Sequence, residues 1–276
     1  MPSSAQPDVP AGWSGSGDGV RYYFGLAMLT MFAVVSVLVG LVVARAGNFV
    51  ALRFCLVFAL WMAVMVAYSV VVRYRRTDLS TVLRPAERDG IPGTEIRSSA
   101  WQFALLIALT GCGAIFCGMA SIEIFIHQET GFPGGAVIAG GLSVFFGWFG
   151  AGLAFGRICR GGVILSSQGI VHRGWSFESR LDWSAVAGVM PSFDVYPTIL
   201  IMGYTNSSCV RRYTTRLWRI ERLPKTAMLQ IDCRQFDVDP RDLYDYVRAY
   251  VDNPELRAEL GTEAALARAR QSDAAG

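Results

Sequence analysis

Residues 23–43 read YFGLAMLTMFAVVSVLVGLVV, an uninterrupted run of apolar and small side chains without a single charge. Roughly 20 such residues cross about 30 Å of hydrocarbon at helical rise, so the run predicts a membrane-spanning helix. Three more runs of that kind follow at 54–72, 100–122 and 135–155. Buried helices of a water-soluble protein rarely extend so far without a charge, and four of them within the first 155 residues predict an integral membrane protein. Composition agrees: 53% of residues are hydrophobic and only 17% are charged, against about 25% charged in ordinary soluble domains. The formal net charge of +3 is too small to indicate a nucleic-acid-binding protein.

Orientation follows from the arginines. The connector between the second and third runs holds Arg73, Arg75, Arg76, Arg84, Arg88 and Arg97, whereas 127–133 holds neither Lys nor Arg. The positive-inside rule therefore predicts a cytoplasmic connector, both termini in the cytoplasm and short outer loops at 44–53 and 127–133. Arg45 and Arg53 are the exceptions. The expected organisation is a disordered, Pro-, Gly- and Ser-rich tail at 1–21 and a first transmembrane hairpin at 22–72. A connector at 73–99, a second hairpin at 100–156, a soluble domain at 157–253 and a helical tail at 254–276 complete it. The first apolar run is as long as a span and follows a tail, which is unlike a cleaved signal peptide. The protein is thus expected to be a multi-pass protein of the plasma membrane.

Within the spans, Gly135, Ala139, Ser143, Gly147 and Ala151 repeat every fourth residue and predict a small-residue ridge on the fourth helix. Ala100, Ala104, Ala108 and Cys112, with Gly111, Ala114 and Gly118, offer a facing surface on the third. Small residues let helices approach closely in lipid, and the ridge serves either packing within one chain or a homo-oligomer contact. Arg53 and Glu123 are both placed at the outer boundary, where they are expected to pair, with His127 one turn beyond Glu123 on the same face. A hydrated interfacial pair and a proton relay are the two roles open to them.

Beyond 155 the period changes from helical to alternating. Strands are expected at 163–165, 170–173, 179–182, 186–192, 198–204 and 228–233, with a glycine-containing turn at 166–169. Asp239 as N-cap, Pro240 in the first turn and the apolar series Leu243, Tyr246, Val247 and Tyr250 predict a helix that Asn253 and Pro254 end. Gly261 interrupts the segment that follows. An antiparallel run closed by one amphipathic helix predicts an α+β domain in which that helix covers the open end of a bent sheet. In Leu165, Ser167, Gly169, Ile170 and Arg173, then Leu181, Trp183, Val186 and Val189, the chain resembles the bacterial pleckstrin-homology-like family, over roughly 157–253. It looks like an actinobacterial multi-pass membrane protein of that kind. The resemblance implies a bent antiparallel sheet capped by a C-terminal helix, and ligand binding without catalysis. It carries over no ligand residues, and the segment 206–225 departs from the family's strand pattern.

That segment is also the strongest candidate contact surface. Arg211, Arg212, Arg216, Arg219, Arg222 and Lys225 crowd fifteen residues, interleaved with Tyr213, Leu217, Trp218 and Ile220, and only Glu221 opposes them. Such a stretch suits anionic lipid headgroups or a partner protein. Alternatively, its arginines pair with acids of the same domain, including Asp232, Asp237 and Asp239. No nucleophile elbow, phosphate loop or HExxH motif occurs. Asp237, Asp239, Asp242 and Asp245 crowd a helix start, where they suit capping better than catalysis. With two histidines on opposite predicted sides and no CxxC pair, no metal or other cofactor is expected. The expectation is a non-enzymatic membrane scaffold or adaptor that contacts lipids or proteins. The alternative is an accessory subunit of a transporter or channel complex.

Overall fold

The computed structural model describes residues 13, 19–127, 133–193, 196–204, 209–221, 223–224 and 226–275. The chain divides into two compact units. One contains four helices, α1 (Gly19–Arg45), α2 (Phe49–Tyr74), α4 (Ala100–Ile126) and α5 (Pro133–Ala154), each long and apolar enough to cross a membrane. Among the described residues the other contains α3 (Leu79–Val82), nine strands and two C-terminal helices. Each helix of the first unit begins or ends within a few residues of its sequence-predicted span.

Packing in the helical unit follows small residues and hydroxyls. Between α1 and α2, Ser36 donates to the Cys55 carbonyl at 2.8 Å, and a Cβ on Gly40 would sit 2.8 Å from the Cys55 Cβ. Phe116 of α4 is ringed by Phe54, Phe58 and Trp61 of α2, with centroids about 6 Å apart. Between α4 and α5, Ser143 donates to the Ala114 carbonyl and Ser121 to the Ala136 carbonyl, both at 2.8 Å. A Cβ added to Gly118 would lie 3.0 Å from the Ser143 hydroxyl, and one on Gly140 would lie 3.0 Å from that of Ser121. The α5 face that meets α4 therefore runs through Ala136, Gly140 and Ser143. Of the ridge expected from the four-residue spacing, Gly135, Ala139 and Ala151 are half-buried, while Gly147 is exposed and a Cβ there would meet nothing within 4 Å. A helix this rich in glycine offers several equivalent stripes. The two hydroxyl–carbonyl bonds, which lipid cannot replace, select one.

In the second unit, β1 (Leu83–Arg88) and β2 (Ile91–Arg97) form a hairpin within the expected connector, and β2 pairs with β3 (Gly162–Ser166). The connector is therefore not a separate linker but two strands of the sheet. Its turn carries φ angles of 54° at Asp89 and 77° at Gly90, a combination that aspartate followed by glycine accommodates. The sheet continues antiparallel through β4 (Gly169–Arg173), β5 (Phe177–Asp182) and β8 (Val210–Tyr213). A second antiparallel sheet contains β6 (Val186–Phe193), β7 (Pro197–Gly203) and β9 (Met228–Asp232). The six expected strands all form, with limits moved by at most two residues.

Helix α6 (Pro240–Asp252) starts as its sequence requires. The Asp239 side chain accepts from the Arg241 amide at 2.9 Å, and Pro240 occupies the first turn. Leu243, Tyr246, Val247 and Tyr250 are all buried, in one core with Leu83, Ile96, Val163, Leu165, Ile199 and Ile231. Gly261, at φ +84°, breaks the chain before α7 (Glu263–Ala275) and donates its amide to Thr94 of β2 at 2.9 Å. Trp13 is buried as well: its indole donates to the Ser192 carbonyl at 3.0 Å and its ring meets Tyr244 edge-on. The disorder expected of 1–21 does not hold at Trp13 or from Gly19 onward, and the other tail residues lie outside the described set.

Candidate interaction surface

The expected basic segment forms a single edge strand and then a strap. β8 pairs with β5 from Val210 opposite Arg180 to Tyr213 opposite Phe177. Past Tyr213 the chain is held to the corner at Trp175 and Ser176: the Thr214 amide donates to the Ser176 carbonyl at 2.9 Å and the Ile220 amide to the Ser176 hydroxyl at 3.2 Å. Glu221 is the anchor. Its carboxylate accepts from the Trp175 amide at 3.0 Å and from the Gln235 side chain at 2.6 Å. Burial raises its pKa, and these hydrogen bonds oppose the rise. The acid that seemed to oppose the basic run by charge thus binds it to the domain.

The basic residues divide by environment. Arg211 is half-buried, and its guanidinium donates to the Pro224 carbonyl, closing the strap on itself. Arg212, Arg216 and Arg219 are exposed, with Arg219 lying 5.0 Å over the Tyr213 ring. Trp218 is half-buried, whereas Leu217 is 57% and Val210 64% exposed beside those arginines. Arg222 and Lys225 lie outside the described residues. Of the acids expected as internal partners, the three named aspartates are engaged elsewhere, whereas Arg212 does pair within the domain, 3.8 Å from Glu178. Asp232 accepts from Arg234 at 2.5 Å, Asp237 lies 3.2 Å from Arg75, and Asp239 caps α6. The strap therefore presents cations and large apolar side chains together, the combination suited to an interface between water and a less polar phase.

In the helical unit, Arg53 lies 3.9 Å from Glu123, and His127 Nδ1 lies 3.5 Å from the same carboxylate. Arg53 and His127 are both exposed, so such a pair is worth little in water. Sequence reasoning missed another cluster altogether. Glu178 of β5 meets Arg88 at 2.6 Å, Arg173 at 3.3 Å and Arg212 at 3.8 Å. The alternation of Arg173, Glu178 and Arg180 along β4 and β5 was the available signal, but it acquires meaning only once β8 and the β1–β2 hairpin are placed.

Among the described residues, the chain combines four helices long and apolar enough to cross a membrane with a domain of mostly antiparallel sheet and C-terminal helices. No protein-family model, curated protein or solved structure matches this chain.

Proposed function

We propose that this chain is a non-enzymatic integral membrane scaffold or adaptor, with its four long helices in the plasma membrane and both termini in the cytoplasm. Its sheet domain, read as pleckstrin-homology-like, contacts lipid or protein at the cytoplasmic leaflet. The observation that carries this reading is β8 with the strap that follows it: exposed Arg216 and Arg219 beside exposed Leu217, next to exposed Val210 and Arg212, the last of which also lies 3.8 Å from Glu178. The orientation rests on the arginine-rich segment 73–97, which positive-inside bias assigns to the cytoplasm. Near an anionic leaflet each such cation contributes about 1 kcal/mol, so the exposed three give binding that salt weakens.

Hydrogen exchange of the full-length chain in nanodiscs tests this. Amides of 209–224 should exchange more slowly in discs containing phosphatidylglycerol than in pure phosphatidylcholine, and Arg216→Glu with Arg219→Glu should abolish the difference. Equal exchange in both lipids removes lipid contact from the reading. A second reading is an accessory subunit of a transporter or channel complex. Native mass spectrometry would show that subunit role as a stoichiometric foreign protein.

A further inference from the structure

Arg45 and Arg53 run against the charge bias that orients the other arginines, and both stand at the end of the α1–α2 hairpin that the proposed orientation places outside. Between the same two helices lies an open groove of about 440 Å³, a volume within the range of small-ligand sites. Val34, Val37 and Leu38 of α1 and Leu56, Leu60 and Ala63 of α2 line it, and every lining side chain is aliphatic. Helical phase places both arginines on the stripes that form this groove. Seven or eleven residues return a helix to within roughly 20° of the same direction. Arg45 comes eleven residues after Val34 and seven after Leu38, and Arg53 comes seven before Leu60. Height agrees as well. Gly40 packs on Cys55, so the two are level, and Arg45 and Arg53 stand about 7.5 Å and about 3 Å beyond that contact. From Arg53 inward to Ala63 is about 15 Å, half of the roughly 30 Å of hydrocarbon and so the depth of one leaflet.

Both side chains are exposed at the mouth of the groove. Among the described residues the Arg45 guanidinium has no hydrogen-bond, ion-pair or ring partner, and Arg53 comes only to 3.9 Å from Glu123. Guanidinium groups present planar forks of donors that match phosphate oxygens. A soluble anion would meet the two arginines but leave the aliphatic groove unfilled, and an uncharged chain would fill the groove but leave the arginines without a counter-ion. A phospholipid with a net negative headgroup satisfies both at once, since its charge sits at the boundary and its chain descends through one leaflet.

We propose that the α1–α2 groove holds one acyl chain of an anionic phospholipid of the outer leaflet, with the lipid phosphate at Arg45 and Arg53. The proposal rests on the reading that places the four helices in the membrane, and it uses none of the strap's residues. Glu123 competes with the phosphate for Arg53. The two arginines then serve to retain a lipid, which accounts for their presence on the side that the charge bias leaves poor in cations.

The test is photo-crosslinking of the full-length chain in phosphatidylcholine nanodiscs doped with phosphatidylglycerol that carries a diazirine along one acyl chain, with the labelled peptides mapped by mass spectrometry. Label should fall within 33–38 and 56–63, about tenfold above that from phosphatidylcholine bearing the same photoreactive chain. Arg45→Gln with Arg53→Gln should bring the two lipids to equal labelling, whereas Glu123→Gln should raise the phosphatidylglycerol signal severalfold. Ala63→Phe keeps both arginines and, because Ala63 is exposed, disturbs no packed contact; it should remove the label from the groove by filling it. Equal labelling of wild type by the two lipids overturns the proposal, as does a phosphatidylglycerol signal that survives loss of both arginines. Absence of label from these segments with either lipid overturns it too, and crosslinks to a second copy of the chain there would assign the groove to a helix instead. A chain that does not enter the discs refutes the membrane reading itself. Equal labelling with the strap's exchange difference intact refutes this lipid site alone.

Discussion

Replacing His172 by leucine should change how the sheet domain responds to acid. His172 is fully enclosed in β4, opposite Val163 and Ser179, with its ring edge-on to Phe177 at 5.1 Å. Among the described residues neither ring nitrogen has a hydrogen-bond partner. Burial of the charged form lowers its pKa from 6.5 to about 4, against a smaller opposing pull from Asp232. Between those two values the unfolded chain takes up a proton that the folded chain refuses. The stability tied to this group is therefore complete above about pH 6.5 and declines as the pH falls toward 4. At 1.36 kcal/mol per pH unit the whole loss is about 3 kcal/mol. Leucine cannot titrate, so His172→Leu should lack that loss. At pH 7 it should be as stable as wild type or more so, because two unpaired buried nitrogens disappear. Proteolysis of the full-length chain after equilibration in urea, in mild detergent at pH 7, 5.5 and 4.5, would follow the domain's midpoint. By pH 4.5 the variant's lead over wild type should have grown by roughly 1 to 2 M urea, for a slope of about 1–3 kcal/mol per M. A lead that stays constant from pH 7 to 4.5 would refute the reasoning, since it would mean that the folded histidine takes up its proton as readily as the unfolded one.

Gly140→Val forces a branched side chain toward the Ser121 hydroxyl and should destabilise the α4–α5 pair by about 1–3 kcal/mol, whereas Gly147→Val should leave thermal stability in detergent unchanged. Equal effects would mean that α5 packs on its other stripe. Glu221→Ala removes the acceptor for the Trp175 amide and the Gln235 side chain, at a cost of about 1–3 kcal/mol, and should make limited proteolysis cut first within 209–224. A cleavage pattern like that of wild type would show that Glu221 does not anchor the strap. Trp13→Ala should cost about 3 kcal/mol by emptying the site against Tyr244 and Ser192, read as a lower urea midpoint of the sheet domain. An unchanged midpoint would show that the N-terminal residue adds nothing to the core.

Much of the candidate surface was legible only in part. The basic run, its interleaved aromatic and its break with strand alternation are visible in the order of residues. Which cation points where is not. Arg211 turns inward to the Pro224 carbonyl while its neighbour Arg212 lies on the outer face beside Glu178. That difference follows from the pairing of β8 with β5, which places successive side chains on opposite faces. Trp13 sits in a tail of disorder-prone composition, and its burial depends on a carbonyl 179 residues away. The hairpin at 83–97 did leave a local sign, the Asp89–Gly90 pair, but the surrounding arginines suggested a charged linker more strongly than a strand pair.

By itself the sequence determined whatever depends on neighbours within a few residues. The four long apolar helices, the alternation that makes strands, the Asp239–Pro240 start of α6 and the break at Gly261 follow from helical rise, strand period, capping and backbone sterics, all of them local. The tertiary structure alone decided which stripe of α5 meets α4, that the segment joining α2 to α4 belongs to the sheet, and that Arg88, Arg173 and Arg212 share one carboxylate. Arg88 and Glu178 are 90 residues apart in the chain. Their meeting depends on strand order and on the curl of a whole sheet, which arise from the summed packing and pairing of many residues.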